Sequence, residues 1–263
     1  MAGGQGIRRL LGPLAEAVAP FLVVAILWQG FALLGPFPAK LFPSIEKIVA
    51  TFFRLIGNGI LPVHGLTTIL RLITSFLLAA VLGVVVGITM GRYRWAEDFF
   101  LPLVSVGNPI PGIAYAPLFV IWFGLGNLSA VLLVAFAAAF PVVLNTWTGV
   151  KAVKEVWIRA AQSMGAEGQQ LFRKVALPAS LPYVLTGLRL GLARAWRVLV
   201  AVEMLTSVSL GLGWVIFGAR EYLNTDVMLA GIALIGLVGL LLEKMVFKPL
   251  EEFTVVRWGM MKK

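Results

Sequence analysis

The stretch FFLPLVSVGNPIPGIAYAPLFVIWFGLGNLSAVLLVAFAAAFPVVLNTWTGV, residues 99–150, decides the fold: 52 residues without one Asp, Glu, Lys or Arg. As a single helix it would run about 78 Å, against a hydrocarbon core of about 30 Å. One crossing cannot hold it, so the chain must turn. The best turn is GLGN, Gly124 to Asn127, with Ser129 just beyond. This places one span at residues 99–123 and the next at 128–149. The flanking charges, Glu97, Asp98 and Lys151, then lie on the same side.

Composition agrees. The chain of 263 residues is 60% hydrophobic and 13% charged, with a mean hydropathy of +0.94. A soluble domain is about 45–50% apolar and about 25% charged, so this is an integral membrane protein. The net charge of +10 does not come from a dense basic cluster interleaved with aromatics, and nucleic acid is not an expected partner. Cytoplasmic loops rich in Lys and Arg explain that charge more simply. Cysteine is absent and His64 is the single histidine, which excludes disulfides, thiol nucleophiles and a His-rich metal site. There is no Walker A sequence and no H-E-x-x-H. No catalytic, cofactor or metal residue is expected, which leaves transport or a scaffold role.

Upstream, Arg8 and Arg9 before an apolar run imitate a signal peptide. The uncharged run 17–34 ends in GPFP rather than at a small-residue cleavage site, so it reads as a retained first span. Residues 43–59 form a weakly amphipathic stretch with Ser44 as N-cap and a stop at Gly57 to Gly59, which suits an interfacial helix. Span two covers 66–90. Arg71 near its start can reach the headgroups, and Gly83, Gly87 and Gly91 line one face for close helix packing. Span three is interrupted by Pro102, Pro109, Pro111 and Pro117, with Gly107, Asn108 and Gly112 nearby. Broken backbone at membrane depth must be buried in protein or line a wet cavity. A packing kink and a pathway lining both remain open.

Downstream, span five covers 181–205 and carries Arg189, Arg194, Arg197 and Glu203. Glu203 could relay an ion, but a structural link to a helix end or an arginine is the better reading. Residues 209–226 read as a re-entrant or short-helix connection, 227–242 as span six, and 248–263 as a polar tail. Six spans put both termini on one side. That side carries fourteen Lys and Arg against four on the other, so the termini and the 150–182 loop should be cytoplasmic. The expected divisions are an N-terminal segment at 1–65, a five-helix core at 66–247 and the tail at 248–263.

The loop VKAVKEVWIRAAQSMGAEGQQLFRKVALPASLP, residues 150–182, carries five basic residues against Glu155 and Glu167. It reads as a helix over 152–163, a break at Gly165, a second helix over 167–175 and a stop at Pro178. It either fixes topology alone or docks a soluble partner.

Within it, AAQSMGAEGQQLFRKVALP resembles the EAA loop of ATP-binding-cassette importer permeases. Ala160 and Ala161 take the alanine positions, Gly165 the glycine, Val175 the aliphatic position, and Leu177 and Pro178 the closing pair. Arg159 stands where the pattern has Glu. PIPGIAYAPLFVIWFGLG (109–126), FPVVLNTWTGV (140–150), LPYVLTGLRLGLARAW (181–196), AVEMLTSVSLGLGWVIFGAREYLNTD (201–226) and RWG (257–259) look like the nitrate, sulfonate and taurine subgroup. The similarity covers residues 43–259.

The resemblance implies an all-α polytopic fold of the type I importer kind with six transmembrane helices, in a bacterial inner membrane. It implies a second permease copy, two cytoplasmic ATPases docked on loop 150–180, and an external solute-binding protein. ATP and Mg would sit on the partner ATPase. The solute would be a small anion. Polarity and helix disruption nominate Asn108, Pro109, Pro111, Tyr115, Asn145, Thr148 and Glu203 for the path, while Trp122, Trp147 and Trp196 read as packing or interfacial aromatics. A secondary transporter or channel would need coupling-ion sites and often an inverted repeat. A non-transport assembly protein would need neither a proline-broken span nor a docking motif.

Overall fold

A computed structural model describes residues 3–205 and 208–247, with side chains from Val18 to Met245 apart from 206–207. The expected tail at 248–263 lies outside the described residues. Every described element is helical: α1 Gly3–Leu34, α2 Ile45–Gly57, α3 Ile60–Arg92, α4 Arg94–Gly107, a 3-10 turn Gly112–Tyr115, α5 Ala116–Phe123, α6 Asn127–Lys151, α7 Glu155–Ser163, α8 Gly168–Leu171, a π turn Phe172–Ala176, α9 Leu177–Leu205, α10 Leu212–Glu221, α11 Thr225–Leu242 and a π turn Glu243–Phe247.

Four of the helical runs are long and apolar enough to cross a bilayer: Ile60–Arg92, Asn127–Lys151, Gly168–Leu205 and Thr225–Met245. A fifth exists if Arg94–Gly107 and Gly112–Phe123, bent by 101°, form one broken span. The expected first span falls in α1, whose described apolar part, Val18–Leu34, is shorter than those four. The chain is therefore an all-α, multi-pass membrane protein with four to five long apolar helices.

The chain divides into two compact units, one of Met1–Leu61 with Val215–Ala233 and one of Pro62–Trp214 with Leu234–Lys263. In the first, Ser44 caps α2 as expected, accepting from Lys47 N–H. Trp28 stacks on Phe42 with ring centres 4.1 Å apart, and its indole N–H donates to Pro43 O at 3.0 Å. Gln29 accepts from Ile45 N–H at 2.9 Å. Hydrogen bonds from Ser44 and Gln29 hold the Glu46 carboxyl below its usual range. Thr51 donates to Asp226 at 2.8 Å, joining α2 to α11.

The second unit is built on α6. Lipid is as apolar as leucine, so helices associate in a bilayer through close fit rather than through expulsion of water. The sequence supplies that fit with small residues. Ala130, Ala135, Ala137, Ala138 and Ala195 are buried beside Leu133, Val134, Leu199 and Val202. The glycine face of α3 rests directly on α6: a Cβ at Gly83 would lie 2.7 Å from Val142 Cβ, and one at Gly87 2.6 Å from Thr146 Cβ. Gly191 of α9 packs on the same Val142, where a Cβ on the glycine would lie 2.6 Å from Cγ2. One helix is thus gripped by glycine-lined grooves of two others. Leu77, Val81 and Val85 of α3 stay exposed, as lipid-facing residues should.

Three local expectations need correction. The loop helix begins at Glu155, not at residue 152, because Ala152 caps the preceding helix with its N–H on Thr148 O at 2.8 Å. Pro178 does not stop a helix. The run Gly168–Leu205 continues through it, since the adjoining π turn has already shifted the hydrogen-bond ladder: Leu177 N–H goes to Phe172 O, five residues back. A proline in the next position, with no N–H to place, fits there without a lost bond. Arg71 does not reach headgroups; it is 4% exposed.

Candidate coupling loop and broken-span site

The loop between α6 and α9 hangs off the bundle. No residue of α7 or α8 is buried. Glu155 sits in the first turn of α7, where an acid suits the positive helix end. Arg159, at the position of the motif's Glu, pairs with Glu155 one turn earlier at 2.5 Å, both side chains being over 70% exposed. Ala160 is exposed and Ala161 half-buried. Met164 caps α7, and Gly165 follows with φ +80, a conformation that glycine adopts without strain. Nothing lies within 4 Å of the place its Cβ would take, so the backbone turn rather than crowding demands glycine here. Val156, Trp157 and Met164 present bare apolar surface, Met164 being 88% exposed.

The base of the loop is fastened. Arg92, at the end of α3, stacks over Phe172 at 4.5 Å from the ring centre. Lys151 pairs with Glu97 at 2.6 Å. Val175 and Leu177 are half-buried and Pro178 exposed. An exposed apolar knuckle on an anchored stem is the geometry of a docking element.

The break in span three gathers four of the seven nominated path residues: Asn108, Pro109, Pro111 and Tyr115. Between α4 and the 3-10 turn the helical ladder lapses. Arg194 of α9 answers it, donating to Asn108 Oδ1 at 2.7 Å, Asn108 O at 2.8 Å and Ile110 O at 3.0 Å. Two carbonyls left open at the break are thus satisfied by a guanidinium. Asn145 lies elsewhere on α6 and donates to Pro141 O, 2.8 Å away on its own helix. Thr148 is exposed.

Glu203 belongs to a separate, fully buried cluster. Its carboxylate pairs with Arg71 and accepts from Thr68 Oγ1 and Gly213 N–H, each at 3.0 Å. Arg71 also donates to Asn127 Oδ1 at 2.5 Å and Leu210 O at 3.1 Å. Thr68 accepts from Leu212 N–H at 2.9 Å, and Gly211 N–H donates to His64 Nδ1 at 3.0 Å. Gly211 has φ +146, and a side chain there would strike the Glu203 carboxylate. The cluster ties α3, the head of α6, the end of α9 and the loop into α10 together. Glu203 is the structural link that its position suggested; His64, Thr68, Arg71 and Asn127 carry no sequence signal for it beyond being polar in apolar surroundings.

Residues 79–246 match the family model described as the binding-protein-dependent transport system inner membrane component. The chain belongs to that family. This permease is 36% identical over 232 residues to the taurine transport system permease protein TauC of Escherichia coli, covering 86% of this chain and 84% of TauC. It is also 36% identical over 251 residues to the aliphatic sulfonates transport permease protein SsuC of Bacillus subtilis, covering 95% and 90%. Among solved structures, the inward-facing MetNI methionine ABC transporter superposes with a TM-score of 0.57 at 20% identity, over 70% of the permease and 92% of the MetNI chain. That likeness establishes the shared fold. The permease is a multi-pass inner-membrane transport subunit, and its matched region holds the broken span, the loop and Glu203, while His64, Thr68 and Arg71 of the buried cluster precede it.

Proposed function

We propose that this permease carries a small anionic solute of the sulfonate or taurine kind into the cytoplasm as half of an ATP-driven importer. Two copies form the pathway through six spans each, α1 supplying the first. Both termini and the 155–178 loop face the cytoplasm. Each loop seats in one ATPase subunit, and an external binding protein delivers the solute. The observation that carries this reading is the exposed apolar knuckle Val156–Met164 at the motif Ala160–Pro178. The anionic solute is supported by the relatedness to TauC and SsuC and by the excess of basic residues.

The chain has no cysteine, so a single Met164→Cys variant is a clean reporter. A membrane-impermeant maleimide should label it in inverted vesicles and not in intact cells, and adding the ATPase should suppress labelling. Labelling from outside, or indifference to the ATPase, would refute the assignment.

A further inference from the structure

Span five carries three arginines within nine residues, and they differ in company. Arg189 is matched by Glu243 at 2.8 Å. Arg194 and Arg197 have no carboxylate within salt-bridge reach among the described residues. They stand three residues apart, hence on one helix face. Counting from Leu181, Arg194 lies about 20 Å along the helix, well inside a core about 30 Å thick.

A charge at that depth must face the bundle interior or a wet cavity, or find a partner. Arg194 gives three N–H groups to the neutral acceptors at the break, leaving two of its five donors uncommitted among the described residues. Arg197 commits its Nε to Ala193 O at 3.0 Å and is otherwise exposed. Glu243, which lines a cavity with Arg197, is already engaged by Arg189, and two guanidinium groups with spare donors and no ion-paired carboxylate among the described residues suit a planar or tetrahedral oxyanion.

We propose that Arg194 and Arg197, with Asn108 and Tyr115 at the break in span three, form an anion waypoint that holds the solute's acidic head in passage. This deepens the function proposed above and rests on it. A pathway site must release as readily as it binds. Sharing the Arg194 fork with Asn108 and Ile110 keeps the hold weak. The same contacts give Arg194 a plain structural duty, so Arg197 is the discriminating residue: it carries the charge without touching the break.

The test uses the complete transporter, with its ATPase and binding protein, in liposomes, with labelled ethanesulfonate and taurine as probes. Arg197→Gln should lower ethanesulfonate uptake about tenfold, and taurine, whose ammonium group offsets the sulfonate, by less. Arg197→Lys should recover most of the rate, and the yield of assembled complex should not change. Ethanesulfonate uptake by Arg197→Gln within about twofold of the parent would overturn the waypoint. So would an Arg194→Lys variant that fails to assemble while Arg197→Gln transports normally, since Arg194 would then be only a clip for the broken span. A parent transporter that carries neither probe would remove the solute assignment, and the waypoint with it.

Discussion

Arg71 and Glu203 are 132 residues apart in the chain and paired in the fold, with side chains 3% and 0% exposed. Removing one member of such a pair strands the other charge. Arg71→Ala or Glu203→Ala should each cost about 3–5 kcal/mol, whereas the joint change of Arg71 and Glu203 to Met should recover most of that loss. Thermal unfolding in detergent checks the cycle; a double variant that loses the sum of the two single losses would mean that Arg71 and Glu203 act independently.

The glycine face of α3 makes a second, independent claim. Gly87→Ala would press a methyl group into Thr146 and Val143, with an expected loss of about 1–3 kcal/mol from overpacking. Gly30, which has open space around it, should tolerate alanine. Detergent-stability assays on the two variants should separate clearly.

At the loop, Met164→Asp or Val156→Asp should leave membrane insertion and unfolding temperature unchanged, because both side chains are exposed. Recovery of the ATPase with the tagged permease should fall by at least about tenfold, as burying an unpaired charge at an interface would require. Unaltered recovery would move the docking surface elsewhere.

Arg159 offers a contrast between stability and partnership. Arg159→Glu replaces an exposed attractive pair with a repulsive one at i,i+4, worth no more than about 1 kcal/mol in total. Any larger change in ATPase stimulation would therefore report on docking rather than on folding of α7, and circular dichroism can confirm that helix content holds.

How much of this could be read in advance depended on how far apart the interacting residues lie in sequence. The Gly83–Gly87–Gly91 face and the Ser44 cap were legible because their spacing is local. The turn at Gly124–Asn127 was legible because length forbade a single span; Gly124 and Gly126 take positive φ there, and Ser129 bonds Gly124 O. Arg71 was misread because its position near a helix start says nothing of a carboxylate 132 residues on. Pro178 was misread because a π turn carries no compositional mark. The break at Asn108–Pro111 was visible, but Arg194 as the group that completes it was not, since carbonyl orientation is set only in the folded bundle.

The uninterrupted passage from Gly168 through Pro178 to Leu205 has a mechanical meaning. With no flexible joint between the loop's second half and span five, a tilt imposed at Gly168 is delivered as a swing at Arg194 and, further along, at Glu203. The cluster around Glu203 would then serve as the fulcrum and the broken span as the part displaced, so a stroke made at the loop would be felt first where Arg194 holds Asn108 and Ile110.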